Sequence, residues 1–278
     1  MKQAKNMKRL KTILATGIVG IVVVIILFPF YLMIMMSTYT SQQLYTGIHL
    51  LPGPYLLENL RAVFAGTRFL TFYLNSAIIA VSATFLGVSS SAMAGFAFAK
   101  YEFRFKNGLF IFILMTMMIP GNLGMIAFII QMSRFGWMNT FYPLIVPAMA
   151  NSFGVFWMTQ YMKSSLPTEI IESARIDGAS DWRTFVQIVI PMVKAAIITL
   201  SLLAFLGSWN SYMMPMLIIN RMDNFTVPLG LMTLNDTYVQ NIGAMITALA
   251  VGTLPMVIIF AFGSKYFIRG LVAGALKG

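Results

Sequence analysis

Cysteine is absent from this chain, and histidine occurs once, at His49. Disulfides and thiolate metal sites are therefore excluded, and a protein-bound transition metal lacks its usual ligands. Charge is scarce as well: 10% of residues are Asp, Glu, Lys or Arg, where soluble domains carry about 25%. These few charges avoid the long apolar runs altogether. That speaks against a proton relay or buried ion pair of the kind proton-coupled carriers use. No acid–base or nucleophile–base pair falls within the runs either, which argues against an intramembrane enzyme. The phosphate-cradling pattern G-x-x-x-x-G-K-[ST] is missing, so ATP hydrolysis by that route is excluded.

What is present is apolar. Of 278 residues 59% are hydrophobic, and the mean hydropathy is +0.81. The composition predicts an all-α polytopic membrane protein, a single domain over 1–278 with six spans. These are expected at about 13–36, 69–99, 109–130, 141–162, 195–219 and 242–262. Each is near or above the roughly 20 residues that cross about 30 Å of hydrocarbon. The first follows Lys2, Lys5, Lys8, Arg9 and Lys11. It is longer than a signal-peptide core and no A-x-A-like site follows it closely, so it is expected to be retained, kinked at Pro29. The second is too long for an upright crossing. Pro120, Gly121 and Gly124 predict a break in the third.

Six spans put both termini on one side. With that side inside, the inner segments 1–11, 100–107, 163–194 and 263–278 hold fifteen Lys and Arg. The outer loops hold four, Arg61, Arg68, Arg134 and Arg221. This positive-inside bias places both termini in the cytoplasm. It also accounts for the net charge of +11 without nucleic acid.

The longest polar interval in the second half runs from Lys163 to Ala196. It reads as two short helices with a bend. Pro167 suits a first helical turn, and Glu169 and Glu172 follow where the helix dipole favours carboxylates. Ile170 and Ala174 share a face. Asp177-Gly178 breaks the helix, with Gly178 able to take a positive φ. Ser180 or Asp181 is placed to cap a second helix carrying Phe185, Ile188 and Val189, which Pro191 is expected to end.

This stretch resembles the EAA loop of binding-protein-dependent ABC transporter permeases. The resemblance rests on Glu172, Gly178, Ile188 and Pro191, whose spacings all fit. Two departures are small: the triplet reads Glu172-Ser173-Ala174, and Ile190 precedes Pro191 where Leu is usual. The chain from about residue 70 onward is similar to the carbohydrate-uptake branch of that family. Ala174-Arg175-Ile176-Asp177-Gly178-Ala179, Trp209-Asn210 with Pro215, Ala94 to Ala99, and the ending Lys265 to Gly278 carry that likeness. The ending looks like the member of the permease pair related to the maltose-type G subunit.

The resemblance implies a type I importer in a bacterial plasma membrane. A second homologous permease, two ABC ATPase subunits and an extracytoplasmic sugar-binding protein would be its partners, and the C-terminal tail would reach toward the ATPases. ATP and Mg would be used by the ATPases, with no cofactor or metal on this chain. The expected ATPase-coupling residues are Glu172, Ser173, Ala174, Asp177, Gly178, Ile188 and Pro191. Ile170, Ala174 and Phe185 are expected to fill the partner's groove, with Glu172, Arg175 and Asp177 making charged contacts. Trp209, Asn210, Asn151 and Gln160 are candidates for the substrate pathway, with helix packing and span-to-span hydrogen bonding as the default reading. Two other readings stay open: an ABC permease for a polyamine, phosphate compound or peptide, and a carrier or channel acting alone.

Overall fold

The structure, a computed structural model, describes residues 2–237 and 241–275. Side chains are described for these residues except 2–11, 66, 122, 233–237 and 264–275. All regular structure among the described residues is helical, as an apolar chain without water to satisfy open sheet edges requires. The chain forms two compact units.

One unit comprises Met1–Phe69 with Leu231–Thr253. It holds α1 (Lys2–Met36), the single turn α2 (Ser41–Leu44) and α3 (Leu56–Gly66). Pro29 lies inside α1 without ending it. The apolar stretch Thr12–Met36 has no buried residue. Thr40 and Gln43 form a reciprocal capping box that starts α2. The turn after α1 is pinned by Asn59, whose buried amide donates to the Ser37 carbonyl at 2.8 Å and the Tyr39 carbonyl at 2.9 Å. From the start of α15 (Ile242–Ala275), Thr247 adds a third bond, to Ser37 at 3.0 Å. A Cβ at Gly243 would strike the Tyr39 carbonyl, so only glycine permits this approach.

The other unit comprises Leu70–Gly230 with Leu254–Gly278. Its frame is α4 (Phe69–Lys100), followed by α5 (Lys106–Met118), α6 (Met125–Arg134), α7 (Tyr142–Ile145) and α8 (Ser152–Ser165). Then come α9 (Thr168–Ile176), α10 (Asp181–Thr184), α11 (Ile190–Met192), α12 (Lys194–Trp209), α13 (Met213–Ile218) and the first four residues of α14 (Val227–Thr237), whose remainder belongs to the first unit. The core sets Val88, Ala92 and Phe96 of α4 against Met158 and Met162 of α8 and Ala196 and Leu200 of α12. Small residues let α4 and α8 close on one another: a Cβ on Gly95 would lie 2.5 Å from that of Met158, and one on Gly154 would strike Ser91. Asn139, at φ 61°, gathers another loop. Its carboxamide oxygen accepts from the Asn220 and Arg221 amides at 2.7 and 3.2 Å.

Three helices among the described residues are long and apolar enough to cross a membrane: Thr12–Met36, Phe69–Lys100 and Ile242–Gly263. The other expected spans are interrupted, and proline accounts for much of it. The range 109–130 breaks after Met118 into the tight turn Gly121–Gly124, next to Pro120 as expected. In the range 141–162, Pro143 and Pro147 divide the first part into α7 and a 3₁₀ turn, Val146–Ala150, before α8, a division the sequence reading did not include. The range 195–219 divides between Trp209 and Met213. The tail after 262, expected to be flexible, begins as helix, since α15 continues to Ala275. Its last residues, 276–278, lie outside the described residues.

Candidate functional site

The polar stretch folds as an elbow, and local chemistry explains each corner. Pro167 occupies the N-cap of α9, one residue ahead of the expected first turn, and Glu169 lies within that turn. The helix ends in a Schellman motif. Gly178, at φ 77°, donates to the Arg175 carbonyl at 3.0 Å, and Ala179 to the Ala174 carbonyl at 2.9 Å. Ser180 caps α10, its hydroxyl accepting from the Arg183 amide at 3.3 Å.

Pro191 does not end this second helix, contrary to expectation. Residues Phe185–Val189 widen into a π turn, with the Ile190 amide bonded to the Phe185 carbonyl. Proline has no N–H for the Gln187 carbonyl four residues back, and its ring crowds that carbonyl; a wider turn relieves both. The helix runs on to Met192, and the chain then bends by 81° into α12.

Burial divides the elbow into two faces. Ile171, Phe185 and Val189 are buried with Met162 and Leu166 in the unit's own core, and Ala174 is buried too. Ala174 and Phe185 are thus not groove-filling residues, and Ile170 is half-exposed. A helix lying on its own subunit must bury one stripe there, and Ile171 and Ala174 are that stripe. Glu172, Ser173, Arg175, Asp177, Gly178 and Pro191 are exposed; Ile188 is half-buried. Two apolar side chains join the outer face that the sequence reading passed over, Ile176 at 86% and Trp182 at 65% exposure. The signal for them was an isolated Ile and Trp on either side of Gly178, amid polar neighbours.

A chain of contacts ties the elbow to the segment after α4. The Arg175 guanidinium lies 3.5 Å from the Asp181 carboxylate and stacks 5.0 Å above the Tyr101 ring. Tyr101 meets Phe96 edge-on at 5.2 Å, and Phe96 meets Phe185 at 5.6 Å. Burial pushes the Tyr101 phenol up; a hydrogen bond with Asp181 adds to this, while Arg175 opposes it.

In the same unit a cleft of about 390 Å³ opens between α4, the 143–151 segment, α12, α13 and Thr226. Its polar lining is Ser76, Asn151, Ser208, Ser211 and Thr226, with no charged side chain. Ser76 accepts from the Val227 amide at 2.8 Å, and the Asn151 side chain accepts from the Gly154 amide at 2.9 Å as the N-cap of α8. Thr226 is 4% exposed, and its hydroxyl has no hydrogen-bond partner. Of the four expected pathway residues only Asn151 reaches the cleft. Trp209 is buried, stacked 5.6 Å from Phe205 and edge-on at 5.3 Å to Tyr73. Asn210 and Gln160 are exposed elsewhere, with the Asn210 amide donating to Leu206 at 3.0 Å.

Residues 91–272, which include the whole elbow and most of the cleft, match the binding-protein-dependent transport system inner membrane component family. The chain belongs to that family. It is a membrane-embedded permease subunit of an ABC importer and not an enzyme. The arabinooligosaccharides transport permease AraQ of Halalkalibacterium halodurans is 32% identical over 258 residues, covering 91% of this permease and 92% of that protein. The lactose transport permease LacG of Rhizobium radiobacter is 27% identical, covering 97% and 98%. The sn-glycerol-3-phosphate transport permease UgpE of Escherichia coli is 30% identical, covering 90% and 92%. A bacterial ABC transporter that imports the acidic polysaccharide alginate shares the fold, with a TM-score of 0.81 over 93% of this chain at 22% identity.

Proposed function

We propose that this permease is one of two different membrane subunits of an ATP-driven importer of neutral carbohydrate, and that its elbow docks on a separate ATPase in the cytoplasm. The observation that carries the coupling role is the two-faced burial of the elbow. Its inner face is fixed in the subunit's own core, while its outer face presents carboxylates beside Ile176 and Trp182. A rigid body gripped from outside can pass the motion of an ATPase pair to the spans. A secreted binding protein would deliver the cargo, and ATP and Mg would act on the ATPase subunits.

The lining of the cleft supports a neutral cargo. Ser76, Asn151, Ser208, Ser211 and Thr226 suit sugar hydroxyls. A phosphate ester such as the cargo of UgpE calls for Arg or Lys, and none lines the cleft.

Coupling is tested with a cysteine at Ile176, since Ala174 is buried. Paired with cysteines around the ATPase cleft, Ile176→Cys should crosslink under oxidation and block uptake. Full uptake without any crosslink would remove the coupling role. Cargo is tested in vesicles holding the whole transporter: neutral oligosaccharides should be accumulated, and glycerol phosphate should not compete with them.

A further inference from the structure

An apolar surface used by neither elbow nor cleft lies in the turn after α1. Between Thr40 and Leu57 no Asp, Glu, Lys or Arg occurs. Tyr45, Ile48, Leu50 and Leu51 are 73%, 68%, 53% and 74% exposed. Four large apolar side chains exposed within seven residues mark a place that something other than water covers.

The backbone of the turn is held against α1 itself. The Tyr31 hydroxyl donates to the Leu50 carbonyl. The Tyr39 hydroxyl donates to the Leu51 carbonyl at 2.8 Å, and the His49 ring stacks on Tyr39 at 4.1 Å. The Gly53 amide closes the loop onto the Thr38 hydroxyl at 2.6 Å.

Depth follows from helix geometry. The uncharged part of α1 starts at Thr12, directly after Lys11. At about 1.5 Å per residue, some 30 Å of hydrocarbon is crossed in about 20 residues, which brings the far boundary to Tyr31. Long helical side chains lean toward the helix N-terminus, so the Tyr31 hydroxyl lies no farther out than that boundary. The Leu50 carbonyl it holds is therefore at the same level. The loop folds back to the depth where tyrosines gather at membrane surfaces.

We propose that residues 45–51 lie in the membrane–water interface at the far end of α1, with Tyr45, Ile48, Leu50 and Leu51 inserted among lipids. These side chains follow in sequence on the apolar stretch Thr12–Met36, none of which is buried. The segment also lacks the charges by which a soluble partner is steered and oriented.

The absence of native cysteine makes the test clean. Leu51→Cys carries an environment-sensitive nitrobenzoxadiazole label in the complete transporter, reconstituted in phosphatidylcholine vesicles. Val24→Cys on α1 marks hydrocarbon, and Glu102→Cys, whose side chain is 90% exposed, marks water. The label at Leu51 should emit to the blue of the Glu102 reference. It should be quenched by lipid bearing a nitroxide at acyl carbon 5 and little by iodide. Iodide quenching equal to that at Glu102 would overturn the proposal. So would shielding from both quenchers, or shielding that arises only when the secreted binding protein is added. Tyr31→Phe keeps the ring and removes the tie, so iodide access at Leu51 should rise; unchanged access would overturn the role given to Tyr31.

Discussion

Gly178 and Thr226 are the residues whose chemistry is least replaceable. A Cβ on Gly178 meets nothing within 4 Å, yet its φ of 77° strains any L side chain. The left-handed conformation costs roughly 1–2 kcal/mol for most residues, and least for Asn and Asp. Bending and docking therefore separate. Gly178→Ala should destabilise the elbow through strain alone. Gly178→Asn should keep the bend but place an amide on the outer face. If docking uses this point, Gly178→Asn loses uptake while its unfolding temperature stays near that of the parent. Uptake equal to the parent's would exclude docking there. Thr226 gives the opposite pairing. Burying an unpaired hydroxyl costs about 1–3 kcal/mol, so Thr226→Val, of nearly the same shape, should raise the thermal stability of the empty transporter. Sugar uptake should fall in the same variant if alternating access opens the cleft onto this hydroxyl, which is closed to solvent in this structure. A variant that is no more stable, or that transports normally, would show the hydroxyl to be satisfied or idle.

The elbow is the element in which sequence and structure can be compared most closely. Its corners were legible because each rests on local chemistry: Gly178 for a positive φ, Ser180 for a cap. Its facing was not. Ile170 and Ile171 are adjacent and equally apolar, and only the core formed by Met162, Leu166 and Val189 decides that Ile171 turns inward. Trp209 stood between pathway lining and helix packing for a related reason. An aromatic beside an amide suits a sugar, but Phe205 one turn earlier and Tyr73 of α4 enclose the ring. The hydroxyls of the cleft come from separate elements, and no spacing in the sequence joins them. The two faces predict two kinds of variant. Phe185→Ala removes a core aromatic and should cost about 3–5 kcal/mol. Ile176→Ser, on the surface, should stay within about 0.5 kcal/mol, yet it should weaken the stimulation of ATP hydrolysis by loaded binding protein. If Ile176→Ser leaves that stimulation intact, the outer face is not the gripped one. The contact of Tyr101 with Arg175 and Asp181 adds a pH dependence. Its phenol is raised above its ordinary value, so the folded state favours the neutral form. The stabilisation is complete below the unfolded value near 10 and is lost as pH rises through the folded one. Stability should fall in that alkaline window, and Tyr101→Phe should lessen the fall.

For the molecule as a whole, the distribution of charge matters more than its amount. Fifteen of the nineteen Lys and Arg lie in the segments expected in the cytoplasm, and that asymmetry is the ground for the expected orientation. Many of its membrane segments are not continuous helices, so hydropathy alone is a weaker guide here to which side a loop occupies. The breaks at Pro120, Pro143 and Pro147 interrupt two of the expected runs, 109–130 and 141–162, and the sequence signals only the first of them as a break. The elbow's side is therefore best measured directly. In intact cells Ile176→Cys should resist a membrane-impermeant maleimide, and it should react in inside-out vesicles. Exposure on α9 is high enough that burial in this subunit cannot explain protection. Labelling from outside intact cells would put the elbow on the wrong side of the bilayer for any ATP-driven partner. The lever reading would then fail, whatever the stability or transport of the variant.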